Sequence, residues 1–420
     1  MLATAGLVIG GMLATTLGPT VLGKPAWALP DDLWGTLVAA GRLMHLNLGG
    51  LYTQPTGLVS LPGTAVILVP AAALAGAAGL SLQAQNALNP HPAVWLLAGP
   101  YEIALSAVAL FAADAIAERM GVAAPRRALL AAAGGVAVWN VSVRWGHPED
   151  AVAVGLFMFG LLALSGSRTA RAAWLAGAAV AVQPLVLLAL PVVLAVIEPR
   201  RLPGFLLRAA VPGAAALGAA IAANPAAAFT AVTKQPNSPE INHPTLWVSL
   251  APHMSGGMVA AGPARILAIV IACGCALVVR HRLPAAPAPS VTPALAAPAP
   301  SPMPPPAPRP AGWSPETFSE LLWWAGLALA LRCVFEPVMV SYYMWPALAL
   351  ALAAASPSWP RLGPAAVAAV GLTLLSQIWW HGAWSWWVPM IAGLALTLFL
   401  ARPPRQRRPA GRRYAPGVSG

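Results

Sequence analysis

Apolar stretches separated by short polar segments run along almost the whole chain. A helix that crosses a bilayer needs about 20 mostly apolar residues. Several stretches here are shorter, and Pro184 after Gln183 predicts a break between two of them, because proline removes a backbone hydrogen bond. The stretches are 2–22, 61–82, 93–117, 128–143, 151–165, 172–182, 184–197, 207–223, 264–279, 317–334, 344–357, 363–379 and 386–401. The pattern predicts an all-α, polytopic transmembrane bundle.

The first stretch has one feature of a secretory signal peptide. Ala26-Trp27-Ala28 fits a cleavage site. However, no Lys or Arg precedes the apolar run, and a signal peptide needs a basic segment there. This pattern favours a first helix that is retained.

Arginines indicate the orientation of the predicted helices. Two apolar stretches separate each basic cluster from the next, so all the clusters can lie on one side, which the positive-inside rule makes the cytoplasm. The clusters are Arg119, Arg126 and Arg127; Arg168 and Arg171; Arg200, Arg201 and Arg208; Arg280 and Arg282; Arg361; and the run from Arg402 to Arg413.

Whether the segment 61–82 crosses the membrane decides if the number of crossings before Arg119 is odd or even. Pro62, Gly63 and Pro70 make it an irregular helix, and irregular backbone is tolerated at membrane depth only where protein or water covers it. A full crossing by 61–82 would put the N-terminus outside, whereas a segment that lies in or dips into the outer leaflet puts it inside, and we favour the second. The result is about 12 spans in the plasma (inner) membrane, with both termini cytoplasmic.

Composition excludes several classes of protein. Hydrophobic residues make up 58% and charged residues 9% of the 420 residues, and the mean hydropathy is +0.71. An ordinary soluble domain has roughly 25% charged residues, so a soluble enzyme, a disordered chain and a fibrous protein are excluded. The net charge of +12 is explained by topology and gives no reason to expect a nucleic-acid partner.

A tract rich in Pro, Ala and Ser divides the chain. It covers 283–315 and behaves as an extended linker on the cytoplasmic side. The predicted organisation is an N-terminal transmembrane module, with outer loops at 23–92 and 144–150, followed by the linker, C-terminal transmembrane helices and a basic cytoplasmic tail. The corresponding ranges are 1–282, 283–315, 316–401 and 402–420.

Ionisable residues collect on the predicted outer face, although charge is costly in a membrane protein. A transporter more often has such groups near the bilayer midplane. Their distribution here favours a site at the lipid–water boundary, where a lipid-linked substrate can present its head group. The candidates are Asp31, Asp32, Arg144, His147, Glu149, Asp150, Arg332, Glu336, Tyr342 and His381.

Each candidate also has a purely structural interpretation. Asp31 and Asp32 can cap a helix. Glu149 and Asp150 follow Pro148 and suit the first turn of a helix. The spacing of Arg332 and Glu336 fits an ion pair within one helix.

The order of motifs resembles the GT-C superfamily of integral-membrane glycosyltransferases, which use polyprenyl-phosphate sugars. The resemblance covers roughly residues 1–200 and lies in Pro30-Asp31-Asp32-Leu33-Trp34, Ala39-Ala40-Gly41-Arg42-Leu43, Leu51-Tyr52, Gly146-His147-Pro148-Glu149-Asp150 and Ala176-Gly177 leading to Gln183-Pro184. Mannosyl- and arabinosyltransferases of this superfamily often have Lys-Pro where this chain has Gln183-Pro184. This chain therefore lacks a cation at that position. The composition resembles that of a high-GC actinobacterium.

The resemblance implies juxtamembrane helices in the first outer loop and a catalytic base there, Asp31 or Asp32, and does not separate the two acids. We favour Asp31, because it is the first acid of that loop. Arg144, His147, Glu149, Asp150, Arg332, Glu336, Tyr342 and His381 would then bind substrates. The reaction would be inverting transfer of mannose or arabinose from a polyprenyl-phosphate donor to a lipid or polysaccharide acceptor of the cell envelope. The resemblance identifies no particular cofactor, and a divalent metal is compatible with it.

Other functions remain open. One is a glycan ligase with a lipid-diphosphate donor, and another is a lipid or solute transporter or flippase. A third is a non-catalytic membrane scaffold.

Overall fold

The structure is a computed structural model of the chain. It describes residues 1–17, 20–21, 24–25, 29–53, 58, 60–82, 92–240, 242–286, 313–378 and 383–404.

The described residues are mainly α-helical, which confirms the predicted all-α class. The helices are α1 Leu2–Leu17, α2 Asp31–Met44, α3 Gly63–Val66, α4 Val69–Ala77, α5 Pro92–Arg119, α6 Ala124–Trp139, α7 Pro148–Ser165, α8 Thr169–Val182, α9 Leu190–Ala195, α10 Leu202–Ala223, α11 Pro225–Lys234, α12 Ala264–Arg282, α13 Pro315–Phe335, α14 Trp345–Ala355, α15 Trp359–Ile378 and α16 Ala383–Ala401.

Short irregular elements connect these helices. A π-helical segment, Asn140–Arg144, continues α6. The 3-10 helices are Leu48–Gly50, Pro184–Ala189, Pro199–Arg201, Val248–Leu250, Ser255–Gly257 and Ser341–Met344. In the part of the chain that the structure describes, four two-residue strands form two antiparallel pairs: β1 Thr20–Val21 with β2 Lys24–Pro25, and β3 His243–Pro244 with β4 Val338–Met339.

Among the described residues, seven helices are long and apolar enough to cross a membrane, so a membrane location is plausible. They are Ala93–Arg119, Pro148–Ser165, Pro199–Ala223, Ala264–Arg282, Pro315–Phe335, Trp359–Ile378 and Trp384–Ala401. Four apolar segments are shorter: Leu2–Thr16, Thr169–Val182, Pro184–Ala195 and Ser341–Ala355.

Two predicted irregularities are present. Helix α8 ends at Val182, Gln183 is extended, and Pro184 begins a 3-10 helix, which confirms the predicted break. The segment 61–82 contains only α3 and α4, and the nine residues of α4 reach about 14 Å at 1.5 Å per residue. That length is under half of the roughly 30 Å hydrocarbon core.

Glycines allow the central helices to pack closely. A Cβ added to Gly155 of α7 would lie 2.7 Å from the backbone nitrogen of Ala109 in α5, and one added to Gly177 of α8 would overlap the carbonyl oxygen of Ala209 in α10. Small residues at such interfaces are typical of membrane helix bundles, because association there depends on close van der Waals contact.

The described ends of the 283–315 tract pack against the bundle. Leu283 and Trp313 are buried, and the Ala286 amide donates a hydrogen bond to the Val196 carbonyl oxygen at 2.7 Å. Residues 287–312 lie outside the described residues.

One end of the bundle gathers the polar connections that the sequence assigned to the outer face. The Thr64 hydroxyl donates to the Val182 carbonyl oxygen at 2.6 Å, and the Asn224 amide donates to the Gly49 carbonyl oxygen at 3.2 Å. The loop after α1 therefore folds back over the ends of α8 and α10, and it helps to form the site.

Candidate functional site

Two adjacent acids begin the first helix after α1. Pro30 has an extended conformation before α2, and Asp31 and Asp32 form the first turn. Acidic side chains are favoured there by the helix dipole. Both aspartates are exposed, and the Asp32 side chain retains 67% of its accessible surface.

A glycine brings this turn against the segment before α7. Gly146 has a φ of 71° and follows the π-helical segment. A Cβ built on it would lie 2.7 Å from the Pro30 Cβ and 2.8 Å from the Leu33 Cβ. Only glycine combines this backbone conformation with so close an approach without strain. The adjacent His147 is thereby placed beside the start of α2.

His147 connects two carboxylates. Its Nε2 lies 3.2 Å from Asp32 Oδ2, and its Nδ1 lies 2.7 Å from Glu149 Oε1. An imidazole donates at both nitrogens only when it is protonated. Burial disfavours that charge, but the Glu149 and Asp32 carboxylates outweigh burial and raise the pKa of His147 well above its ordinary value. The group is therefore an imidazolium held between two acids.

Aromatic rings and a guanidinium complete this side of the site. The Tyr342 ring stacks on the His147 ring with centroids 4.2 Å apart. The Arg332 guanidinium carbon lies 3.6 Å from the centroid of the Tyr343 ring. Arg332 also forms the predicted ion pair with Glu336, at 3.9 Å. Its Nη1 is buried and has no hydrogen-bond acceptor among the described residues.

The break at Gln183 supplies a partner to a buried acid. Asp150 has no exposed surface, and the Gln183 side-chain amide donates to its Oδ1 at 2.8 Å. The Ser60 hydroxyl in turn donates to Gln183 Oε1 at 3.3 Å. The positive charge of Arg332 also acts on Asp150. Gln183 thus orients an acid in this chain, a role for which the amide suffices.

Sequence patterns did not single out two charged residues that the structure places here. Arg265, at the start of α12, pairs with Glu336 at 2.8 Å and donates to Gln235 Oε1 at 2.6 Å. Glu102 is fully buried in α5, where the charges of Glu149 and His147 act on it. The available signal was the presence of a charged residue within or next to an apolar stretch.

Most of the predicted site residues come together, although they come from separate parts of the chain. Asp31 points to solvent, Arg144 ends the π-helical segment three residues before His147, and His381 lies outside the described residues. The connected set is Asp32, His147, Glu149, Asp150, Arg332, Glu336 and Tyr342.

The described residues do not fit a metal site. His147 uses both ring nitrogens for carboxylates, and across the described ranges no three His, Cys, Asp or Glu side chains are arranged to hold a metal ion. We therefore derive no step through a metal.

Comparison with known proteins adds no further assignment. No family model matches this chain, and no curated protein matches it.

Proposed function

We propose that the chain is an integral-membrane glycosyltransferase. It transfers a sugar, mannose or arabinose, from a polyprenyl-phosphate donor to a glycan or glycolipid of the cell envelope, with inversion at the anomeric carbon. About twelve crossings of the inner membrane, with both termini in the cytoplasm, place Asp32 on the outer face. The GT-C resemblance is part of this proposal.

One observation carries the proposal. Asp32 is an exposed carboxylate held by a half-buried imidazolium at one end of an apolar bundle. A base that takes a proton from an incoming hydroxyl must be reachable from water or from the acceptor, and it must be ionised. Asp31 is similarly exposed, but the contact with His147 favours Asp32 as the base.

The residues suggest the following roles in the transfer reaction. The Asp32 carboxylate takes the proton of the acceptor hydroxyl as that oxygen attacks the anomeric carbon of the donor sugar. The bond between the sugar and the lipid phosphate breaks, and the phosphate leaves with the electron pair. Asp32 then returns its proton to water. His147 keeps Asp32 ionised and oriented, because a neighbouring cation favours the carboxylate.

Arg332 is the best candidate for the leaving phosphate. Its guanidinium is fixed by Tyr343 and by the charges of Glu336 and Asp150, while Nη1 still has a donor to offer. A guanidinium matches phosphate oxygens with two parallel donors. Cations that contact developing charge in the transition state give large rate effects.

The proposal is tested with purified protein in liposomes. The donor is a polyprenyl-phosphate mannose or arabinose with a labelled sugar, and the matched control donor is the same sugar on a nucleotide. We expect transfer to a lipid or glycan acceptor from the polyprenyl donor alone, and loss of it in Asp32→Asn.

Movement of the intact lipid-linked sugar across the bilayer, without a new glycosidic bond, would instead support a flippase. Neither transfer nor movement with any of these donors would contradict the proposal.

A further inference from the structure

A buried carboxyl group in α5 has no role in the proposed transfer. The Glu102 side chain has no exposed surface. Neither of its carboxyl oxygens has a hydrogen-bond partner among the described residues, and no ion pair with it is found there. The group lies within Ala93–Arg119, one of the helices long and apolar enough to cross a membrane.

An isolated carboxylate is very costly in such surroundings. Burying an ionised carboxylate without a counter-ion costs several kcal/mol or more, and the group usually binds a proton instead. Acidic residues inside membrane helices are commonly found where protons bind or move.

The groups around Glu102 are polar on one side. Ser106 lies one turn along α5, and its hydroxyl is 2.6 Å from that of Ser142 in the π-helical segment. Both serines are fully buried. The charges of Glu149 and His147 act on Glu102 as well. Glu102 therefore has a buried hydroxyl pair one turn along its helix and lies within reach of the charges of the imidazolium–carboxylate group.

The remaining charged groups near α5 are accounted for. Helices α1, α4 and α14 pack on α5 and carry no titratable side chains between their first and last residues. The groups on α5 and on the other elements packed against it are Tyr101, Asp114, Glu118, Arg119, Arg126, Arg127, Arg144, Glu149 and Asp150, together with His147 in the turn before α7. Asp114 pairs with Arg127 at 2.7 Å, and Glu149 and His147 are the groups whose charges reach Glu102.

We propose that Glu102 is a proton-binding site inside the membrane domain: its buried, unpartnered carboxyl group carries a proton at neutral pH and can release it to water. The carboxylic acid O–H bond breaks, the proton goes to water, and Glu102 becomes a carboxylate. When Glu102 is protonated, the site carries one negative charge fewer, and this favours the approach of an anion. This inference stands whether or not the site transfers a sugar.

Infrared spectroscopy of the full-length protein in liposomes tests the proposal, because a protonated carboxyl group has a C=O stretch that a carboxylate lacks. We expect one such band at neutral pH that is lost in Glu102→Gln. The matched control is Glu118→Gln, which makes the same change on the same helix at a side chain that is 58% exposed. That variant should keep the band.

Two further variants give shifts of opposite sign. Glu149→Gln removes a negative charge, so the band should disappear at a pH lower by about one unit or more. His147→Asn removes a positive charge, so the band should persist to higher pH. These shifts remain measurable if Glu102→Gln does not accumulate in the membrane. A Glu102 that is ionised at neutral pH, or a band that neither variant shifts, would overturn the proposal.

Discussion

The imidazole Nε2 of His147 lies 3.2 Å from the Oδ2 of Asp32, although 115 residues separate them in the sequence. The contact joins the first loop after α1 to the turn before α7. Because Glu149 holds the other ring nitrogen at 2.7 Å, the imidazole can neither rotate nor leave without breaking a charge-assisted hydrogen bond, which is among the stronger kinds in proteins.

His147 should give the site an alkaline limit. Its pKa is raised well above the ordinary 6.5 by Glu149 and Asp32, against the effect of burial. The ion pairs are therefore complete below pH 6.5 and are lost as the pH rises through the raised pKa. We expect both sugar transfer and the stability of the loop to fall in that alkaline range. His147→Asn should remove this decline, and it should also lower the transfer rate at neutral pH.

The control for this profile is His45→Asn, at an exposed histidine that follows α2. It should leave the profile unchanged. An alkaline decline that survives in His147→Asn would show that another group titrates.

Gly146 should tolerate no side chain. Gly146→Ala places a Cβ 2.7 Å from the Pro30 Cβ at a φ of 71°, so the start of α2 must move away from His147. We expect at least a tenfold loss of transfer, since small displacements of catalytic groups are costly.

Gly121→Ala is the matched control, because Gly121 has a φ of 72° with nothing within 4 Å of the added Cβ. Gly121→Ala should therefore lower the free energy of unfolding by only about 1 kcal/mol, the cost of a positive φ at a residue with a Cβ. Transfer rates and thermal stability of the two variants separate backbone strain from the close approach. Equal losses of transfer would contradict the role given to Gly146.

Arg332 should matter for its shape as well as for its charge. Arg332→Lys keeps the cation but loses the planar group that lies against Tyr343, so donor binding should weaken by about tenfold. Titration of the polyprenyl donor measures this. The control is Arg200→Lys, at an exposed arginine after α9. Unchanged donor affinity in Arg332→Lys would remove Arg332 from the phosphate site.

The sequence predicted the helices better than it predicted their contacts. Apolar runs marked most helices, and Pro184 marked the break after α8, because both signals are local. The pair of Arg332 and Glu336 could be predicted for the same reason, since residues four apart on a helix are neighbours.

The distant contacts could not be predicted in this way. The choice of Asp32 over Asp31 depends on how α2 meets the turn before α7, and the pair of Arg265 and Glu336 depends on how α12 meets α13. Glu102 went unnoticed because one acid barely changes the hydropathy of a 28-residue helix.

The most direct test compares Asp31→Asn with Asp32→Asn in the liposome transfer assay, at equal protein levels. Both changes remove one carboxylate from the same exposed turn and keep the shape of the side chain. Asp32→Asn also removes the ion pair with His147, so the thermal stability of both variants is measured beside their turnover. We predict that Asp32→Asn lowers turnover by a factor of roughly a hundred to ten thousand with modest change in donor binding, while Asp31→Asn stays within about twofold of the unchanged protein. Normal turnover in Asp32→Asn would contradict the account.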